Sequence, residues 1–312
     1  MKSLLLAVGV MSLGKLLFAT QDVIIKYMSG AYPVHEIVSI RGLVAIPLLL
    51  LITGFSIGLP ALLRHKPWLH LLRGALMFLA FLTYYVALSE MILINATALF
   101  FTAPFFITIL SVPFLGEKVG LRRILSMLGG FIGVLVVLRP DSAGFDAIAL
   151  LPIVAAFFYA VCQVMVRFAG MTAPAVIMSL YASIAFMLLG LLTGFILIGA
   201  EPTASDASSM ALLQPWSMPS MRDFLFLAYT GVTSALGFMF ASYAYQKAEA
   251  SQLAPFEYLL IVWVALLSYL VWGEIPDQQS LIGVAIIIAS GIYVLKREKQ
   301  PGALAYTGLT RR

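Results

Sequence analysis

The sequence predicts an all-α integral membrane protein, with ten transmembrane helices arranged as two inverted five-helix repeats. Three observations carry that prediction. Hydrophobic residues make up 62% of the 312-residue chain and charged residues only 11%, with a mean hydropathy of +1.02, whereas a soluble domain carries about 25% charged residues. Apolar runs of ~20 residues, the length that spans a bilayer core as a helix, recur from end to end. The runs also fall into two similar sets.

Lipid offers the backbone no water to bond, so a spanning segment is either helical or part of a closed barrel. Runs such as "LVAIPLLLLI" and "LIGVAIIIAS" lack the apolar/polar alternation of barrel strands. Charge, Gly and Pro bound ten candidate spans, at residues 4–28, 34–54, 68–89, 92–115, 121–138, 147–168, 174–198, 222–246, 251–273 and 280–295. The longest segment between them, 199–221, is polar, bears prolines and is too short for a soluble domain. Lys and Arg concentrate on the cytoplasmic side of short loops. With the N-terminus inside, fourteen of the 19 Lys and Arg fall on inner segments, four (Lys26, Arg41, Arg139, Arg222) on outer ones, and Lys15 in mid-span. Both termini are therefore expected in the cytoplasm, and the protein in the cytoplasmic (inner) membrane. The single cysteine, Cys162, excludes an intrachain disulfide, a cysteine zinc site and an iron–sulfur cluster. The net charge of +5 resides in short loops, which argues against nucleic acid as a partner. The apolar run at the start continues past Phe18 into a full span, against a cleaved signal peptide.

The repeat is read from matched landmarks. "FATQDVIIKY" (18–27) aligns with "YAVCQVMVRF" (159–168), and "SIRGLVAIPLLLLITGF" (39–55) with "SLYASIAFMLLGLLTGF" (179–195). "LGEKVG" (115–120) aligns with "WGEIPD" (272–277), and Arg73-Gly74 with Thr230-Gly231, at a larger offset that the 199–221 loop absorbs. Five spans per half is an odd number, so the second copy must cross the membrane in the opposite sense. Inverted repeats are the architecture of secondary transporters, whose site lies near the midplane between the halves.

"ALFFTAPFFITILSVPFLGEKVG" followed by "GFIGVLVVLRP", and the partner stretch "LAPFEYLLIVWVALLSYLVWGE", resemble the two EamA repeats of the drug/metabolite transporter superfamily. The resemblance covers residues 4–296. It implies a first EamA repeat at 4–138, a second at 147–296, and a cytoplasmic tail at 297–312. It also implies a ten-helix fold around a central cavity open to one side at a time. Members of that family move riboflavin, S-adenosylmethionine, amino acids and other metabolites. Riboflavin-like or other aromatic solute uptake is the first expectation for this chain, with amino-acid export or S-adenosylmethionine transport as alternatives. The shared motifs belong to the scaffold and do not choose among them.

Polar residues inside the spans are the candidate site. On a helix advancing about 100° per residue, Ser12, Lys15, Ala19, Asp22 and Lys26 fall within an arc of about 80°, and Gln21 points the other way. A charge at the centre of a span costs about 2.5–3.5 kcal/mol on insertion scales, so it is expected to face a cavity or a partner. Lys15 and Asp22 are read as lining an aqueous cavity, with a static network pinning the first helix as the alternative. Arg41 is the expected partner of Asp22, as an outer gate or a permanent brace. Glu257, just after Pro255, is a candidate for proton coupling or for meeting a cationic solute. Gln163 occupies the position of Asp22 in the second repeat. Asn95 and Thr102 share a helix face and offer hydrogen bonds, either to a solute or to neighbouring helices. Tyr84, Tyr85, Tyr159 and Tyr181 are candidate aromatic walls for a planar or cationic solute. The "GE" glutamates, Glu117 and Glu274, are read as structural.

Other functions fit less well. "GVMSLGKL" (9–16) nearly spells a P-loop, but Leu16 stands where Ser or Thr is required and no strand precedes it. ATP hydrolysis is excluded on that basis, leaving an ion or solute gradient to drive transport, with a coupled proton or counter-solute. His35, His65 and His70 are split between the two sides and no acidic cluster has metal-ligand spacing, so neither an enzyme, a metal site nor a cofactor is expected. A channel would need a continuous polar path with rings of like charge, which the isolated Lys15, Asp22 and Glu257 do not provide. Gly129-x-x-x-Gly133 and Gly190-x-x-x-Gly194 permit close helix contact, within the chain or in a homodimer; the chain is expected as monomer or homodimer.

Overall fold

The computed structural model describes residues 2–28, 31–64, 66–90, 96, 99–117, 119–138, 147–170, 173–199, 212–272 and 278–297. Among these lie ten long helices. They are α1 (Lys2–Met28), α2 (Val34–Ser56), α3 (Pro67–Glu90), α4 (Ala103–Leu115), α5 (Leu121–Leu138), α6 (Leu150–Gly170), α7 (Ala175–Ile196), α8 (Met221–Lys247), α9 (Leu259–Trp272) and α10 (Gln278–Arg297). Six of them, α1, α2, α3, α6, α7 and α8, are long and apolar enough to cross a membrane.

Local chemistry sets the ends. Pro33 and Pro174 stand extended immediately before α2 and α7. Proline fixes φ and lacks an N–H, which costs nothing where that donor has no helical partner. Ser220 starts α8, its Oγ accepting from Asp223 N at 3.2 Å. Gly116 ends α4 in the left-handed conformation (φ 67°), which sends its N–H back to Ser111 and Val112 carbonyls. A side chain there would be strained.

The ninth expected span departs from a continuous helix. It begins as a single α-turn, Ala250–Leu253, passes into a 3-10 turn, Ala254–Tyr258, and becomes α-helical only at Leu259. Pro255 removes one backbone donor at the start of the 3-10 turn. Glu117 accepts from Ala250 N at 2.8 Å with Oε1, so it serves the orphaned end of that turn. Glu274 and Asn95 lie outside the described residues, as does the start of the fourth expected span.

Helix pairing is regular. α2 packs on α7 and α5 on α10. α1 lies on α8 and α3 on α6; α3 lies on α7 and α8 on α2; α4 lies on α6 and α9 on α1. Small residues allow the closest approaches. A Cβ on Gly74 would stand 2.6 Å from Ala185 Cβ, and one on Gly42 would stand 2.8 Å from Ser183 O, so α7 is gripped from two sides. Both small-residue pairs also serve packing inside the chain: Gly129 and Gly133 face Ser290, Gly283 and Ile287 of α10, while Gly190 faces His35 and Ser39 of α2 and Gly194 faces Trp216.

The core between α1, α2, α3, α6, α7 and α8 is built from Met11, Phe18, Met77, Phe78, Met178, Phe186, Phe238 and their neighbours. Large apolar side chains also cover the outside in mid-helix, among them Leu43, Leu51, Ile109, Phe114, Leu188 and Leu192. Such a surface is costly in water and neutral against acyl chains, so lipid is its solvent.

Candidate functional site

At the centre of the molecule a small cavity of about 60 Å3 is lined by residues of five segments. Lys15, Phe18 and Asp22 come from α1, Ala80, Phe81 and Tyr84 from α3, and Phe100 from the turn before α4. Tyr159 comes from α6 and Leu260 from α9. Lys15 and Asp22 meet it together because they are seven residues apart, two helical turns on one face. The walls are aromatic: Tyr84 and Phe100 lie 5.2 Å apart between ring centres, and Phe100 and Tyr159 5.4 Å.

Lys15 is only 4% exposed and Glu257 3%. They form an ion pair, with Glu257 held by its place in the 3-10 turn. Lys15 Nζ also donates to the Tyr159 hydroxyl at 3.1 Å. That hydroxyl donates to Glu257 Oε2 at 2.9 Å, and the Tyr245 hydroxyl donates to Oε1 at 2.6 Å. Both carboxylate oxygens are thus served, which is what makes a buried charge pair tolerable. The network joins α1 to α6, α8 and the turn before α9. Trp263 adds a further tie, its Nε1 donating to Ser12 Oγ at 3.2 Å.

Near Asp22 the picture differs. Asp22 is half-buried, and Arg41 is 1% exposed. The two interact electrostatically, yet no ion pair joins them. Neither Nη1 nor Nη2 of Arg41 has a hydrogen-bond partner. The guanidinium lies instead against the rings of Phe186 at 4.5 Å, Phe81 at 4.9 Å and Phe238 at 6.0 Å. Tyr85 stands beside it and accepts from Gln21 Nε2 at 3.3 Å. Gln21, off the charged stripe, is therefore buried against α3.

The remaining sequence candidates scatter. Gln163 is buried one turn beyond Tyr159 and does not line the cavity. Thr102, at the N-cap of α4, makes no cap bond and instead donates its hydroxyl back to the carbonyl of Leu99 at 2.8 Å. Tyr181 is away from the cavity, its hydroxyl on Leu62 O at 3.1 Å and its ring stacked on His70. Arg73, counted from sequence among the basic residues of the inner side, is buried within α3 and donates from Nη2 to Met178 O at 2.9 Å. Sequence reasoning missed Tyr245 as the second partner of Glu257, and the three phenylalanines around Arg41. Their chain separations leave no periodic signal that would have paired them.

A bundle of apolar helices enclosing a cavity with a buried charge network defines a multi-pass helical membrane protein. The EamA-like transporter family matches residues 5–139 and 146–296, and the chain belongs to that family, within the drug/metabolite transporters. It is 27% identical over 300 residues to an S-adenosylmethionine uptake transporter of Rickettsia felis, covering 96% of both chains. It is 33% identical over 231 residues to a riboflavin transporter of Vibrio cholerae, covering 73% of this chain and 72% of that one. A solved crystal structure superposes with a TM-score of 0.75 at 17% identity, covering 94% of this chain and 99% of that chain, which establishes the shared fold.

Proposed function

We propose that this protein moves a small organic metabolite across the cytoplasmic membrane by alternating access, using a solute or proton gradient. Ten helices would span the bilayer as two inverted repeats, 4–138 and 147–296, with both termini and the 297–312 tail in the cytoplasm. The helix pairing supports that arrangement. Exchanging α1–α5 for α6–α10 turns each of the eight pairs named above into another of them or into itself, as a two-fold axis between halves would.

The observation that carries the reading is the network of Lys15 with Glu257, Tyr159 and Tyr245, which ties the first repeat to the second beside the cavity. Rocking the halves apart must strain or break it, so solute entry and its rearrangement are coupled. The cavity of about 60 Å3 holds only a few waters, whereas sites for drug-sized ligands measure ~300–1,000 Å3. Admission therefore needs the aromatic walls to part.

The aromatic walls support a planar solute of riboflavin type. The charges support a second reading, a charged amino-acid-like solute such as S-adenosylmethionine. Reconstituted vesicles decide between them. Saturable uptake with counterflow of one solute is expected; unsaturated flux of every solute tested would overturn alternating access.

A further inference from the structure

We propose that Asp22 and Arg41 form a split ion pair that recognises a zwitterionic, amino-acid-like group on the solute. The solute's carboxylate docks on the Nη atoms of Arg41 and its ammonium on Asp22. This deepens the transport reading above and rests on it.

Arg41 presents a planar fork of donors suited to a carboxylate. Its two terminal nitrogens are buried without an acceptor. Aromatic faces attract the cation but accept none of its N–H hydrogen bonds, so the terminal nitrogens stay desolvated and unpaired. The guanidinium is thus held ready for an anion rather than satisfied.

The protein's own anions do not supply it. Glu257 is taken by Lys15 and two tyrosines. Asp22 faces the cavity and stays unpaired with Arg41. Asp22 on the cavity wall and Arg41 behind the Phe81 wall are opposite charges held apart, the complement of a zwitterion. A neutral solute would leave both ends unserved, and a simple anion or cation would serve only one.

Access is through one aromatic layer. Phe81 is a wall of the cavity and also covers Arg41 at 4.9 Å. Phe18, another wall, packs at 5.3 Å on Phe238, which covers Arg41 from a different side. A rotamer change of Phe81 opens the guanidinium to the cavity.

The test uses the purified full-length chain and two matched probe sets, with binding read by calorimetry and thermal shift. One set is L-tryptophan, tryptamine and indole-3-propionate. The other is S-adenosylmethionine and its decarboxylated analogue. At least one zwitterion should bind wild type, with the analogues lacking carboxylate or ammonium weaker by about thirtyfold or more, the usual consequence of unpairing a buried charge. Arg41→Met should abolish that preference, and Arg41→Lys should restore it only in part. The wild-type ranking needs no variant to fold. Truncated analogues binding as well as their zwitterions, full zwitterion binding by Arg41→Met, or no zwitterion binding at millimolar concentration would each overturn the proposal. Saturable counterflow of probes with no preference for the zwitterion over its truncated analogues would remove this subsite and leave the transport reading intact, whereas unsaturated leak of every probe would remove the transport reading.

Discussion

Two charged centres share one face of α1, and they are built in opposite ways. Around Lys15 every group has a partner: the ammonium meets Glu257 and Tyr159, and Tyr245 completes the carboxylate. Around Asp22, seven residues on, a carboxylate and a guanidinium lie near each other without pairing, and phenylalanine rings stand where acceptors would be expected. A satisfied buried network holds a structure together, and an unpaired buried charge is costly until it meets a counter-charge. The first centre should therefore govern stability and the second solute recognition.

The largest expected effect follows from breaking the satisfied centre. Glu257→Gln leaves the Lys15 ammonium buried without its counter-charge and should cost about 3–5 kcal/mol of stability, read as unfolding in detergent. Lys15→Met combined with Glu257→Gln should recover much of that loss, since both charges then leave together. A double variant as unstable as the single one would show that the pair is not coupled.

Next comes the packing that positions both centres. Gly74→Val would drive a branched side chain into α7, where even a Cβ stands 2.6 Å from Ala185. Overpacking of this kind costs about 1–3 kcal/mol, measurable by the same unfolding experiment. Tyr245→Phe is a finer probe. It removes one hydrogen bond to Glu257 Oε1, worth about 1.5–3 kcal/mol when the acceptor is charged, and should leave the Lys15 pair in place.

The smallest expected effect sharpens the contrast most. Arg41→Met removes no hydrogen bond from either terminal nitrogen and takes away an unpaired buried charge, so stability should hold or rise while zwitterion binding is lost. A stability loss comparable to that of Glu257→Gln would make Arg41 a brace, and the two centres would then be alike.

Much of the fold was legible because the bilayer imposes it. Eight of the expected spans recur as helices whose ends differ from the expected ones by only a few residues, since apolar length and flanking Pro or charge fix them. The break before α9 was not legible. Pro255 signalled a disturbance, but a proline alone does not say that a 3-10 turn follows. In the site, the stripe of Lys15 and Asp22 could be read because both sit on one helix of known period. Arg41 could be flagged as a charge in an apolar run. That it would be enclosed by Phe81, Phe186 and Phe238 instead of closing on Asp22 could not, because those rings come from three other helices. Tyr181 and Thr102 show the converse. Each is a polar residue in an apolar helix, and each satisfies itself on a backbone carbonyl away from any solute.

The sequence alone determined that this chain lives in lipid, that it is helical, that its halves repeat, and that α1 carries Lys15 and Asp22 on one face. All of these follow from hydrophobicity, spacing and backbone hydrogen bonding, which act along the chain. Only the tertiary structure decided which charge found its partner. That choice depends on distances between helices far apart in sequence, on which hydropathy and spacing along the chain carry no information.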